Sequence, residues 1–158
     1  MTDKEIISEI KEYFCIEEFV SKPVFDKYGE KAWQFLSIRM LHTMLIIRKE
    51  LDLSITINNW KWGGKFSQRG LRENTCQIVM SKNRLGKTYL SAHVLGRAVD
   101  FDVKGMEAYK VRLWLKDNYD KLPYSIRLEN EMNGKQINWV HLDTYSNINN
   151  PKVYLFNV

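Results

Sequence analysis

The sequence lacks long apolar runs, which excludes a membrane-spanning segment. Its longest candidate, MLIIR at positions 44–48, reaches a charge after four apolar residues, whereas a bilayer span needs about 20. The amino-terminal segment MTDKEIISEI has acidic residues where a secretory signal has a basic stretch followed by an apolar one. We therefore expect a protein that is made in a cytoplasm without a signal peptide and that does not enter a membrane.

Cysteine is scarce, and its spacing excludes two kinds of site. Cys15 and Cys76 are far apart in the chain and match neither a zinc-binding nor a redox spacing. We expect two reduced, mostly buried thiols. The chain also lacks repeats, low-complexity segments and linkers. Its 158 residues fit one domain that can bury a core without disulfide bonds.

No part of the chain concentrates charge of one sign. The formal net charge of +5 suits nucleic acid, and equally an anionic polymer such as a cell wall. A helix-turn-helix pattern and a cluster of Lys and Arg are both missing, so we do not expect nucleic-acid binding.

Helix and strand patterns are mixed without regular alternation. Amphipathic spacing predicts helices over 3–14, 30–51 and 105–122, and strand-like segments cover 53–60, 124–129 and 137–145. Asn133-Gly134, between the last two strands, is a strong hairpin signal. We therefore predict an α+β fold, a single compact domain with a central antiparallel sheet flanked by helices. Residues 1–52 form its helical part, and residues 53–158 form the sheet and the candidate site.

The segment SAHVLGRAVDFD, at 91–102, places two ionisable side chains close together in sequence. A buried packing segment has little use for His93 and Asp100, whereas a metal site would use both. His141, on the predicted strand NWVHLD, is the candidate third ligand. Two histidines and one carboxylate, with water in the fourth position, are the ligand set of a catalytic zinc site, and Gly96 allows a tight turn. The competing interpretation is three ordinary polar residues in a loop, a turn and a strand.

These segments resemble a known enzyme family. SAHVLGRAVD resembles the Ser-x-His-x-x-Gly-x-Ala-x-Asp motif of the zinc D-Ala-D-Ala carboxypeptidase and L-alanyl-D-glutamate endopeptidase family. Its fixed positions are filled by Ser91, His93, Gly96, Ala98 and Asp100. WVHLD resembles the second motif of the family, a Trp-x-His stretch on a strand, and FSQRGLREN resembles the loop that carries a substrate-facing arginine. The resemblance covers residues 53 to 145. It implies one zinc ion, held by His93, Asp100 and His141, and cleavage of peptides in bacterial peptidoglycan.

The resemblance leaves the general base open. Many members place a catalytic glutamate three residues before the last histidine, where this chain has Asn138. Some phage relatives carry the base on the preceding strand, which makes Glu129 our candidate. Glu131 and Asp143 are the alternatives, although Asp143 is equally suited to hold a ligand histidine.

Further roles follow from the same resemblance. Arg72 would stabilise the oxyanion or hold a substrate carboxylate, with Arg69 as the runner-up. Ser91, Arg69 and Trp139 are expected to contact substrate, and Asp102 is expected to be structural or to support the ligands.

The sequence thus predicts a zinc-dependent peptidase that hydrolyses peptidoglycan stem peptides or cross-links, as a phage lysin or a lysis-associated wall hydrolase. We expect a monomer that is made in the host cytoplasm and acts on the wall after release, or that is carried in a virion. One alternative, favoured by Asn138, is a non-catalytic, zinc-stabilised wall-binding module. Another is a D-Ala-D-Ala dipeptidase or carboxypeptidase.

Overall fold

The first third of the chain is helical. The structure, a computed structural model, describes residues 1–145 and 151–158. Its helices before the first strand are α1 (Asp3–Ile10), α2 (Ile16–Phe19), α3 (Lys22–Tyr28), a 3₁₀ helix (Gly29–Phe35) and α4 (Ile38–Leu51). Within the described residues, no helix combines the length and apolarity needed to cross a membrane.

Helix α1 is shorter than the predicted helix over 3–14. It begins with a capping box in which Thr2 and Glu5 bond each other's backbone N–H groups. It ends at Ile10, and the chain then turns. Phe14 nevertheless remains buried, because the turn returns this side chain to the core. The apolar spacing therefore identified the buried residues correctly but not the end of the helix.

The predicted helix over 30–51 is interrupted before α4. Leu36 is extended, and Ser37 is the N-cap residue of α4. The Ser37 N–H donates to the carbonyl of Gly96 at 2.8 Å. This bond joins the break to the turn of the SAHVLGRAVD segment. A contact between residues far apart in sequence therefore holds the break between the 3₁₀ helix and α4.

Within the described residues, the remaining elements are a five-stranded sheet, two α-helices and two short 3₁₀ helices (Trp60–Trp62 and Tyr119–Lys121). Its strands, in the order β1-β2-β4-β3-β5, are β1 (Ile55–Thr56), β2 (Ala98–Val103), β4 (Lys135–Asp143), β3 (Ile126–Met132) and β5 (Val153–Asn157). Helix α5 (Gln77–Arg84) lies between β1 and β2, and α6 (Ala108–Asp117) lies between β2 and β3. The α+β prediction is confirmed.

The sheet is mixed, which corrects the prediction of a purely antiparallel one. Strands β1 to β4 pair antiparallel, but β5 pairs parallel with β3. No local turn signal marks such a pairing, because parallel neighbours are joined by longer connections. The predicted strand over 53–60 is also shortened to β1. Asn58 donates its backbone and side-chain N–H groups to carbonyls of Glu18 and Val20 instead.

Strand alternation separates an apolar face of the sheet from a charged one. The buried face carries Val99, Phe101, Leu128, Val140 and Leu142, which pack with side chains of α1, α4 and α6. The opposite face carries Asp100, Asp102, Arg127, Glu129, His141 and Asp143. The polar residues of three neighbouring strands therefore project to the same side.

The β3–β4 hairpin forms where Asn133-Gly134 predicted it. Both residues have positive φ, 51° and 73°, as a type I′ turn requires. The register then slips, because β4 has four residues (137–140) between its pairings with Glu131 and Glu129, where β3 has only residue 130. The slip leaves the middle of β4 irregular while Glu129 remains opposite His141.

We expect Gly96→Ala to be strongly destabilising. Gly96 has φ +65°, and an added Cβ would lie 2.1 Å from the Phe35 carbonyl oxygen. Backbone strain and this clash together should lower the free energy of unfolding by more than about 3 kcal/mol. Gly86→Ala is the matched control, because Gly86 has φ +66° and open space around the Cβ position; it should cost about 1–2 kcal/mol. Urea unfolding measures both, and equal losses would contradict the close approach.

Candidate metal centre

Three side chains converge on one point of the charged face. His93 Nε2 lies 3.3 Å from His141 Nδ1 and 3.3 Å from Asp100 Oδ1, and His141 Nδ1 lies 2.7 Å from the same oxygen. All three residues are less than a tenth exposed. One possible ligand atom from each lies within 4.8 Å of the others, so His93, Asp100 and His141 form a ligand group that could hold a metal ion.

Two strands and one turn position these ligands. Asp100 on β2 and His141 on β4 are directly paired across the antiparallel ladder. His93 lies in the turn before β2, where the Gly96 N–H donates to the His93 carbonyl at 3.2 Å. The Asp100 N–H donates to the Arg69 carbonyl at 2.7 Å, which joins the loop FSQRGLREN (66–74) to β2.

The second nitrogen of each ring has its own partner. His93 Nδ1 lies 2.8 Å from the Gly70 carbonyl oxygen, which can only accept, so this nitrogen carries the proton. His141 Nε2 lies 3.2 Å from Asp143 Oδ2 and donates to it. These contacts leave His93 Nε2 and His141 Nδ1 as the ligand atoms, which is how outer partners orient metal-binding histidines.

The pKa values of the three groups are displaced by burial and by one another. Burial raises the pKa of Asp100, but the charges and hydrogen bonds of His93 and His141 outweigh it and hold this pKa well below its usual range. Burial lowers the pKa of His141, but hydrogen bonds to Asp100 and Asp143 outweigh it and raise the pKa to about 9. Burial keeps the pKa of His93 below its usual value. A cation must therefore displace a proton from His141 to bind.

Asp143 is itself held firmly. Arg127 donates from Nε and from Nη2 to the two oxygens of Asp143, each at 2.9 Å, and the Tyr145 N–H donates to it at 3.0 Å. The Arg127 guanidinium lies 5.0 Å from the ring centroid of Tyr145 and 4.8 Å from that of Phe156. A series of hydrogen bonds therefore connects Arg127 through Asp143 to His141. Our sequence reasoning missed Arg127. Its position two residues before Glu129 on the predicted strand could have indicated it, because residues two apart on a strand lie on the same face.

The two loop arginines differ in what they contact. Arg72 donates from Nη2 to Asp100 Oδ2 at 3.1 Å and from Nε to the Gln68 carbonyl at 2.8 Å. Arg69 pairs with Asp102 at 2.5 Å. Arg72 thus touches the ligand group directly, whereas Asp102 faces Arg69 and contacts no ligand histidine among the described contacts.

Glu129 lies on β3 beside the ligand group. It is paired with His141 across the β3–β4 ladder and is 8% exposed. Among the described residues, its buried Oε1 has no hydrogen-bond partner, and burial raises the pKa of this carboxyl. Glu131 lies beyond the register slip, where it accepts from Asn157. Asn138 is exposed on the irregular part of β4.

A cleft of about 520 Å³ opens onto the ligand group. Ser91 and Trp139, both expected to contact substrate, line it together with Arg72, Glu129 and the three ligands. The arrangement can hold a cation at the wall of a cleft that a carboxylate and a guanidinium also border.

A buried arginine supports the irregular part of β4. Arg112, on α6 and 3% exposed, donates from Nη1 to the Trp139 carbonyl at 2.9 Å and from Nη2 to the Ile137 carbonyl at 3.1 Å. It bonds these carbonyls where the β3–β4 register slips. Sequence reasoning missed Arg112 because it lies between the apolar residues of an amphipathic helix.

The structure therefore defines a candidate metal-binding site at the wall of a cleft. In comparisons with known proteins, no family model, no curated protein and no solved structure matches this chain.

We expect replacement of any of the three ligands by Ala to abolish most metal binding. Two remaining ligands make a poor site. We expect the metal affinity to fall by at least about 100-fold, because loss of a residue that only supports a ligand already costs about 10- to 100-fold. Titration with Co²⁺, followed by its visible absorption, measures this. His42→Ala is the control, because His42 is the third of the three histidines and lies outside the group. Unchanged Co²⁺ binding in His141→Ala would refute the site.

We expect Asp143→Asn to weaken metal binding without unfolding the protein. The amide keeps the shape of the side chain but loses the charge that orients His141, a change that typically costs about 10- to 100-fold in affinity. Asp102→Asn, on the same face of the sheet, should leave the metal affinity unchanged. Calorimetric titration compares the two variants, and equal affinities would show that Asp143 does not support His141.

Proposed function

We propose that the protein is a zinc-dependent peptidase that hydrolyses peptide bonds of bacterial peptidoglycan. One observation carries the proposal: the buried group of His93, Asp100 and His141 borders a cleft beside Glu129, whose Oε1 has no partner among the described residues. Two imidazoles and one carboxylate are the ligands of a catalytic zinc, whereas structural zinc sites use four protein ligands. Neither cysteine belongs to the group.

The residues present fit a zinc ion. His93 Nε2, His141 Nδ1 and the Asp100 carboxylate face one point, and the other two ring nitrogens are already fixed by Gly70 and Asp143. When bound there, zinc supplies a Lewis acid that polarises a carbonyl and lowers the pKa of water. Proton transfer and stabilisation of negative charge must then come from side chains of the protein.

Glu129 is the residue best placed to move the proton. Its Oε1 can accept a proton from the attacking water and later donate it to the leaving amine. The raised pKa suits both steps, because a catalytic acid–base group works best when its pKa lies near the working pH. Asp143 is already bonded to His141 and Arg127, so its oxygens are committed to holding them. Glu131 lies outside the cleft lining.

Arg72 is the candidate for stabilising negative charge on the substrate. Its guanidinium borders the cleft and is fixed by Gln68 and Asp100. A planar guanidinium with several N–H groups can keep these bonds and still donate to a developing oxyanion.

The choice of peptidoglycan as substrate rests on the resemblance of two motifs. SAHVLGRAVD and WVHLD supply all three ligands, in the order and setting of the zinc D-Ala-D-Ala carboxypeptidase and L-alanyl-D-glutamate endopeptidase family. On this basis we also propose a lysin-like protein, made in the host cytoplasm, that acts on the wall as a monomer. The alternative of a non-catalytic wall-binding module rests on Asn138, which lies where many relatives have their base.

A wall-clearing assay tests the proposal. Purified bacterial cell walls should lose turbidity when the zinc-loaded protein is added. A chelator should stop the loss, and added Zn²⁺ should restore it. Binding to walls that remain turbid would reject the peptidase and support the binding module.

We expect Glu129→Gln to retain zinc and the fold but to lose turnover by about a hundred- to ten-thousand-fold, because it removes a proton acceptor and no ligand. Glu131→Gln is the matched control on the same strand and should behave like the unmodified protein. Release of soluble muropeptides, set against zinc content, measures both. Near-normal turnover in Glu129→Gln would exclude Glu129 as the base.

A further inference from the structure

A second pocket adjoins the metal centre on the side away from Glu129. It has a volume of about 460 Å³ and is lined by Lys65, Phe66, Arg69, Asp100, Asp102, Asn138 and Trp139. Asp100 and Trp139 also line the first cleft. The two cavities therefore meet at a ligand of the metal centre.

The sheet order places these cavities on opposite sides of the ligand group. The ligands Asp100 and His141 lie on the neighbouring strands β2 and β4. The second pocket extends toward β1, because Asp102 pairs with Thr56. The first cleft extends over β3 and β5, which contribute Glu129 and Phe156. Together the cavities make a groove that crosses the strands, with the metal centre between its halves.

The size of each half favours a long substrate. Pockets of about 300–1,000 Å³ accommodate drug-sized groups, and both halves are in this range. A free dipeptide with its scissile bond at the metal centre would place only one small residue in each half, and most of the groove would be left uncovered.

The second pocket also carries an exposed positive charge. Lys65 is exposed, and it has no ion-pair partner within the described part of the chain. The charge of Arg69 is balanced by Asp102, and the Arg69 guanidinium stacks 3.5 Å from the ring centroid of Phe66. Among the described residues that line this pocket, Lys65 is therefore the cation without an ion-pair partner and can meet a substrate carboxylate, with the Phe66 ring beside it.

We propose that this groove binds an extended peptide on both sides of the scissile bond, with a substrate carboxylate at Lys65. The proposal rests on the peptidase function inferred above and deepens it. The preferred substrate is then an interior bond of a stem peptide, and free D-Ala-D-Ala is a poor ligand.

Calorimetry on zinc-loaded Glu129→Gln protein measures binding separately from hydrolysis. The probes are D-Ala-D-Ala, a peptidoglycan tetrapeptide stem with its side-chain carboxylate, and the same stem with that carboxylate amidated. The acidic stem should bind at least about tenfold more tightly than the dipeptide, since burial of added residues is worth more than 1.4 kcal/mol. Equal affinity for the dipeptide and the stem would overturn the proposal.

Variants in the same background locate the carboxylate. Lys65→Ala should weaken the acidic stem by about two- to fivefold, the scale of an exposed charge pair, and should not change the affinity for the amidated stem. Phe66→Ala should weaken both stems. Lys31→Ala, an exposed lysine on the 3₁₀ helix, is the control and should match the parent. Unchanged affinity in both Lys65→Ala and Phe66→Ala would overturn the assignment of this pocket.

Hydrolysis by the unmodified protein separates the two proposals. If the stem binds with the predicted pattern but is not cut, the groove is supported and the peptidase function fails. If D-Ala-D-Ala is cut as efficiently as the stem, the peptidase function holds and the extended groove is overturned.

Discussion

The register between β2 and β4 is the constraint on which the site depends. It places Asp100 directly opposite His141, with a 2.7 Å contact between their side chains. A slip of one residue would turn one of these side chains to the apolar face. A slip of two would separate them by about 7 Å along the strand. The apolar residues that alternate with them, such as Phe101 and Leu142, fix this register because they must remain in the core.

The amino-terminal helices hold the third ligand. Gly96 and Gly70 each lie so close to this helical part that an added Cβ would come within 2.1 Å or less of a backbone oxygen, that of Phe35 or Phe19 respectively. Gly70 also accepts the hydrogen bond from His93 Nδ1. The position of His93 is therefore set by backbone contacts between the helices and two loops, and the helical part is a structural component of the site.

The charged face combines acids and bases that would be costly to bury alone. Asp100 is paired with Arg72, and Asp143 with Arg127. Arg112 donates from Nη1 and Nη2 to two carbonyls of β4, although its buried Nε has no partner among the described residues. Glu129 differs from these two aspartates, because its buried Oε1 has no hydrogen-bond partner within the described residues. Arginines thus neutralise two acids of this face, which supports the proposal that Glu129 is the group that exchanges a proton.

The fold class, the β3–β4 hairpin and the residues of the candidate ligand group could all be predicted from the sequence. Alternation, helical spacing and the Asn133-Gly134 turn are local properties, and motif spacing identified His93 and Asp100. The parallel pairing of β5, the break before α4 and the contacts of Arg112 and Arg127 could be seen only in the folded chain. These depend on hydrogen bonds between segments far apart in the chain, such as that from Ser37 to Gly96. Local propensity carries no information about such bonds, because their partners meet only when the chain is folded.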